Sequence, residues 1–225
     1  MIERAAGLIL RLRPLTETSL IVHWLTPDLG RVSTAAKGAL RPKSPFRGRL
    51  DFLYLAQFSF TRSRASDLHA LREVYVQETH GFLRTDLGLL RQASYFVKLV
   101  EQATETETPL PGLFEMLKDL LASMCGQGVL PQRVFGFELK LLRELGLQPD
   151  LAQTRLTAGA KALVGQLTKM DWQQIERLRP NQAQEIEIRD FLHGFLIFHL
   201  GRIPKGRDVA LHPEQPAGQG IARTR

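Results

Sequence analysis

The residues best suited to chemistry form one cluster of positive charge without any carboxylate. Between residues 37 and 49 the sequence holds five cations, two glycines and two prolines. The prolines and glycines predict a loop rather than a helix. Cations on a loop of limited freedom suit the phosphates of a nucleic acid, and the ring of Phe46 suits a base. We predict a nucleic-acid-binding loop, with a solvated surface loop as the alternative, at Lys37, Arg41, Lys43, Arg47 and Arg49.

Two further arginines extend the predicted positive surface. Arg11 stands at an alternating position of a strand pattern, and Arg31 stands at the start of another strand. Each of them alone is also typical of a solvated charge.

Motifs for catalysis and metal binding are absent from the sequence. It has no phosphate-binding loop, no His-Glu-x-x-His, no Cys-x-x-Cys and no Gly-x-Ser-x-Gly. Its six histidines are scattered, and the single cysteine, Cys125, excludes an internal disulfide and a zinc cage of cysteines. We predict a protein that is not an enzyme, with no catalytic residue, no metal and no cofactor. A hydrolase with an unrecognised site is the alternative.

One predicted helix carries basic groups beside apolar ones. That composition suits an acidic, hydrophobic peptide, although it also fits an ordinary amphipathic helix. We predict a site for a partner's tail at Arg133, Phe137, Lys140 and Leu141.

The positive charge is concentrated at the two ends of the chain. The formal net charge is +7, and residues 1–80 carry 12 Lys and Arg against 7 Asp and Glu, whereas residues 81–200 carry 13 against 14. No apolar run approaches the roughly 20 residues of a membrane span, and no secretory signal is visible. We expect a cytoplasmic protein.

The periodicity of apolar residues divides the chain into two parts. Residues 1–80 show period-2 patterns and turn signals that predict about five short strands, and hence a small barrel or sandwich. Residues 81–205 show helical spacing, with Pro131 and Asn181 at helix starts and Gly146 just past a helix end. The fold class is therefore α+β, a small β-barrel or sandwich followed by an all-α domain. Residues 206–225 are rich in Pro, Gly and Gln and predict a disordered tail.

Several short segments of the sequence, taken in order, resemble the RecO family of recombination mediators. The most specific are Thr-Glu-Thr-Ser at residues 16–19 and Ala-Lys-Gly-Ala at residues 36–39. The other matching segments are residues 7–10, 26–32, 137–139, 145–151 and 198–201.

This resemblance implies an OB-fold barrel and a helical domain. It further implies binding to single- and double-stranded DNA, annealing of complementary strands, and loading of RecA at gaps without nucleotide hydrolysis. The implied partners are RecR and the acidic C-terminal tail of single-stranded DNA-binding protein. An RNA- or ribosome-associated OB-fold module is the alternative function.

The sequence departs from the family pattern in two places. Many relatives carry two Cys-x-x-Cys pairs shortly after the segment that matches residues 145–151, and this chain has none there, so zinc is not expected. The tail site is carried over loosely, because Gly136 precedes the Phe-Glu-Leu match and the nearest arginine is Arg133.

Overall fold

The computed structural model describes residues 2–212, and the chain divides into two compact units. The first unit comprises Met1–Gly81 together with Thr104–Ala122, and the second comprises Phe82–Ala103 together with Ser123–Arg225. The division after residue 80 therefore lies close to the predicted domain boundary, but the segment 104–122 is grouped with the strands. Among the described helices, none is long and apolar enough to cross a membrane.

The first unit contains the five-stranded closed barrel of an OB-fold, which confirms the predicted fold class. The strands follow the order β1-β2-β3-β5-β4, with β1 antiparallel to both β2 and β4 and with β3 closing the barrel by parallel pairing with β5. Their bounds are β1 Ile2–Pro14, β2 Leu20–Thr26, β3 Gly30–Ala36, β4 Leu55–Thr61 and β5 Leu68–Glu78.

Large aromatic side chains fill the inside of the barrel. The period-2 pattern of the strands turns Trp24, Phe58 and Phe60 inward, where all three are buried. The rings of Trp24 and Phe58 stack at 4.0 Å between centroids, and the indole N–H of Trp24 donates to Thr34 Oγ1 at 2.8 Å. A bulge in β1 between Ile9 and Arg11 reverses the alternation, so that Leu12 also packs against this core.

A segment distant in sequence is clamped onto the edge of β3. The Arg31 guanidinium donates to the hydroxyl and the carbonyl of Thr104, and the Glu107 N–H donates to the Arg31 carbonyl at 2.9 Å. The Glu107 carboxylate lies 2.9 Å from both Arg62 Nη1 and His69 Nε2. These contacts hold Glu107 at a positive φ of 54°, a conformation that a non-glycine residue seldom adopts. They attach the start of the segment 104–122 to the barrel unit.

Seven α-helices follow the barrel strands within the described residues. Asn181 begins α6 with a capping box to Gln184, and Pro131 begins α3, as the sequence predicts. The bounds are α1 Leu87–Ala103, α2 Pro111–Met124, α3 Pro131–Glu144, α4 Ala158–Lys169, α5 Trp172–Arg177, α6 Gln182–Leu200 and α7 Arg207–Leu211.

Helix α7 lies where the sequence predicts a disordered tail, so that prediction is wrong for residues 207–211. Arg207 is buried and forms a two-pronged ion pair with Glu138 of α3 at 2.7 and 2.8 Å. The same carboxylate accepts from the Tyr95 hydroxyl of α1 at 2.6 Å, and Gln92 donates to the Ala210 carbonyl at 3.0 Å. The rest of the predicted tail, residues 213–225, lies outside the described residues.

Replacing Arg207 should strongly destabilise the helical unit. Arg207→Ala leaves the buried Glu138 carboxylate without its cation, which costs about 3–5 kcal/mol for a broken buried pair. Urea unfolding followed by circular dichroism at 222 nm measures the loss. The control is Arg189→Ala, which removes a partly exposed pair with Asp190 and should cost about 1 kcal/mol or less. Equal losses in the two variants would contradict the proposed role of Arg207.

Candidate nucleic-acid interface

The basic loop, residues 37–49, connects β3 to β4 and is built from consecutive tight turns. Backbone N–H groups donate three residues back, from Arg41 to Gly38 at 3.1 Å, from Ser44 to Arg41 at 3.0 Å and from Arg47 to Ser44 at 3.2 Å. Gly38 and Gly48 take the positive φ values of 66° and 71° that these reversals need. The backbone of the loop is therefore fixed by its own hydrogen bonds.

Phe46 anchors the basic loop to the barrel. Its side chain is 7% exposed and belongs to the barrel core, together with Leu50 and Tyr54. The suggestion that this ring stacks freely on a base is therefore wrong, because the aromatic surface is used for packing. Two backbone bonds add to the anchor, since the Leu40 N–H donates to the Thr18 carbonyl at 2.9 Å and the Gly38 N–H donates to Ser19 Oγ at 3.1 Å.

All five cations of the basic loop are exposed. Arg47 donates to the Pro42 carbonyl and Arg49 to the Val74 carbonyl, both at 3.2 Å, which orients the two guanidinium groups without neutralising them. Over residues 2–212, none of the five pairs with a carboxylate. The loop therefore presents unneutralised positive charge on a fixed backbone.

The outer face of β1, β2 and β3 carries a second group of cations. Arg11 lies opposite His23 across the β1–β2 pair, and His23 lies opposite Ser33 across the β2–β3 pair. Burial lowers the pKa of His23 below its ordinary value, and the positive charges of Arg13, Arg11 and Arg31 lower it further. Burial is the main cause of this lowered pKa, and the positive charge on this face adds to it. Neither Arg13 nor His23 was predicted from the sequence as a site residue. Arg13 could have been, because it stands two residues after Arg11 in the same alternating strand pattern.

Of the two predicted strand arginines, Arg31 lies in different surroundings from the basic loop. Arg31 and Lys37 stand near opposite ends of β3, roughly 20 Å apart at about 3.3 Å per residue. Arg31 also binds Thr104 through its guanidinium, so its first role is structural. The structure thus groups the five loop cations together and separates Arg31 from them.

Two cavities on the barrel unit differ in charge. The larger, of about 510 Å³, is lined by Arg4, Asp28, Glu73 and the exposed Tyr75, so carboxylates outnumber cations there. The smaller, of about 370 Å³, lies in the basic loop and includes Arg41 and Arg47 with no carboxylate in its lining. The smaller cavity is therefore the better match for a polyanion, in spite of its size.

The four residues of the predicted tail site lie in the interior of the helical unit. Phe137 and Leu141 are fully buried, and Arg133 is as well, with its guanidinium on Glu176 at 2.8 Å. Lys140 is 7% exposed and donates to the Met170 carbonyl at 2.7 Å, near the C-terminal end of α4. Burial lowers the pKa of Lys140. In this conformation the four side chains stabilise the unit and offer no groove to a peptide.

A metal site has no candidate in the described part of the chain. Among residues 2–212, no group of three or more His, Cys, Asp or Glu side chains is arranged to hold a metal ion.

Two family models match this chain. The model described as "Recombination protein O N terminal" matches residues 1–80, and the model described as "Recombination protein O C terminal" matches residues 84–154. The first match covers the barrel strands and the basic loop, and the second covers α1 to α3.

Curated relatives carry the name "DNA repair protein RecO". The protein from Exiguobacterium sibiricum is 34% identical over 152 residues, which are 67% of this chain and 60% of the relative. The Rhodopirellula baltica protein is 32% identical over 64% of this chain and 53% of the relative, and a Bacillus cereus protein is 33% identical over 66% and 59%. The matched region thus spans between about half and three fifths of these relatives' length.

The pKa of His23 should report contact between a nucleic acid and the outer face of the barrel. Because folding lowers this pKa, the contribution of His23 to stability is full above about pH 6.5, and it is lost as the pH falls through the lower, folded-state pKa. Bound phosphates offset the charges of Arg11 and Arg13, so a saturating single-stranded oligonucleotide should raise the pKa. Side-chain NMR across a pH titration measures it, and a pKa unchanged by DNA would exclude this face from the interface.

Proposed function

Because this chain belongs to the RecO family, we propose that it is a non-catalytic recombination mediator in DNA repair that binds DNA through the basic loop. The observation that carries this proposal is the set of five exposed cations that pair with no carboxylate within the described residues. Each such cation releases condensed counterions when it meets a phosphate, and this release drives binding without regard to base sequence. Single and double strands both present phosphates, so both are ligands.

Annealing follows from charge neutralisation on the barrel. Two complementary strands repel each other through their phosphates, and the cations of the basic loop lower that repulsion where the strands meet. The backbone turns and the Phe46 anchor keep the cations in place, so little ordering of the loop is needed on binding. Annealing of this kind needs no nucleotide hydrolysis.

Membership of the RecO family supports a proposal for the protein partners of this activity. RecR and the acidic tail of single-stranded DNA-binding protein are the proposed partners, and together with them the protein would load RecA at gaps. Residues 81–200 are close to neutral, with 13 Lys and Arg against 14 Asp and Glu, and this suits protein partners better than DNA. The tail contact does not run through Phe137 or Leu141, because both are buried in the unit.

The affinity for single-stranded DNA should fall as the salt concentration rises, with a slope set by the number of loop cations that contact a phosphate. Each phosphate contact adds about 0.7 to the slope of log affinity against log salt concentration. Five contacts therefore predict a slope of about 3 to 4 in magnitude. Fluorescence anisotropy with a labelled oligonucleotide between about 50 and 200 mM salt measures it. A slope near zero contradicts the phosphate mechanism, and an equal length of RNA that binds more tightly would favour the RNA-binding alternative.

Removing three loop cations should weaken binding to every DNA sequence alike. The triple variant Arg41→Ala, Lys43→Ala, Arg47→Ala should lower the salt slope by about 2 and reduce affinity at low salt at least about tenfold. Its matched control removes three exposed cations of the helical unit, Arg155, Lys169 and Arg177, and should change affinity little. Unchanged DNA binding in the first variant, or an equal loss in the control, would move the site elsewhere.

A further inference from the structure

The basic loop borders an open cavity that charge neutralisation does not require. Its wall is formed by apolar side chains of the barrel end and by two arginines, in a volume of about 370 Å³. The lining that matters for binding is Leu20, Ala39, Phe46 and Leu50 with Arg41 and Arg47. Tracking of a phosphate backbone needs only the surface cations, whereas the concave apolar wall suits a ligand that also has an apolar part.

The side chains of both arginines of this cavity lie against the loop itself. The Arg41 side chain lies over Gly38, where an added Cβ would come within 3.3 Å of Arg41 Cδ. Glycine at position 38 therefore leaves room for that side chain, besides supplying the positive φ. Arg47 is oriented by its bond to the Pro42 carbonyl. A guanidinium so placed binds phosphate oxygens and also stacks on the flat face of a base.

We propose that this cavity receives one unpaired nucleobase of a single DNA strand, with Arg41 and Arg47 on the base face and its flanking phosphates. This inference rests on the proposed DNA-binding function and adds a subsite to it. The apolar wall covers the flat face of the base. Every base has such a face, so binding does not depend on the base sequence, and the cations hold the charged backbone beside it. The combination fits a nucleotide better than an acidic peptide, because the loop offers planar stacking groups and the cavity is small.

An unpaired base in this cavity gives the loop a means of distinguishing single strands from duplex. In a duplex the faces of each base are stacked and its edge is hydrogen-bonded, so a base enters the cavity only when it is unpaired. The phosphate contacts of Lys37, Lys43 and Arg49 do not depend on pairing. When two strands anneal, the base leaves the cavity to pair, and the duplex product is then held by phosphate contacts alone. Release of the product is thereby favoured over release of the single strand.

Oligonucleotides with abasic positions test the cavity separately from the phosphates. A single strand is compared with one of equal length in which central nucleotides lack their bases but keep their phosphates. The full-length protein should bind the abasic strand more weakly, by roughly fivefold to a hundredfold, since stacking of a base contributes about 1–3 kcal/mol. The salt slope should be the same for both strands.

Two variants with opposite expectations complete the test. Arg41→Lys with Arg47→Lys keeps the charge and the salt slope but removes the planar groups, so the preference for the intact strand should fall. Lys43→Ala, a loop cation outside the cavity lining, should lower the salt slope by about 0.7 and leave that preference unchanged. Both variants change exposed side chains, so folding should be preserved.

The outcomes distinguish this inference from the proposed function. Equal affinity of the wild-type protein for intact and abasic strands, with a salt slope of about 3 to 4, would overturn the cavity and leave the phosphate mechanism standing. A preference for the intact strand that survives the double lysine variant would also overturn the cavity as the base site. Absence of any salt-dependent binding to DNA would overturn the proposed function itself.

Discussion

The packing of Phe46 into the end of the barrel is the contact on which the candidate interface depends. Five like charges on one loop repel one another, and a flexible loop would relieve that repulsion by spreading. Burial of Phe46 and the turn hydrogen bonds oppose the spreading, because opening the loop would expose the ring and break the bonds. Truncating a buried Phe typically costs about 3–5 kcal/mol, which exceeds the repulsion between cations exposed to water. The loop thus keeps its charges together.

Closure of the barrel determines that the basic loop lies across the end of the barrel. The pairing of β3 with β5 shuts the barrel, so the connection from β3 to β4 must cross its end, and there it meets the turn between β1 and β2 through the Leu40 to Thr18 bond. At the opposite end of β3 the Arg31 and Glu107 contacts fix residues 104–107. Arg31 at the start of β3 is therefore bound by a partner segment, whereas Lys37 just after the end of the same strand stays exposed.

The order and type of the elements were predictable from the sequence, because each strand and long helix carries its own periodicity. Helix α7 was not, since five residues show no period, and the residue that fixes it, Arg207, meets Glu138 from 69 positions away. The tail-site prediction failed to anticipate burial for a similar reason. The pattern of α3 shows that Arg133 and Lys140 are charged, but their partners, Glu176 and the Met170 carbonyl, come from distant segments. The composition likewise predicted a basic loop between residues 37 and 49. It did not predict the turn hydrogen bonds of this loop or the burial of the Phe46 ring.

Amide hydrogen exchange, with and without a single-stranded oligonucleotide, tests most directly whether the ordered basic loop is the DNA interface. In the free protein the amides of Arg41, Ser44 and Arg47 should exchange slowly, because each donates within a turn. Saturating DNA should slow exchange further in the basic loop and leave the helical unit unchanged. Fast exchange of these amides in the free protein, or protection by DNA that appears only in the helical unit, would contradict the account.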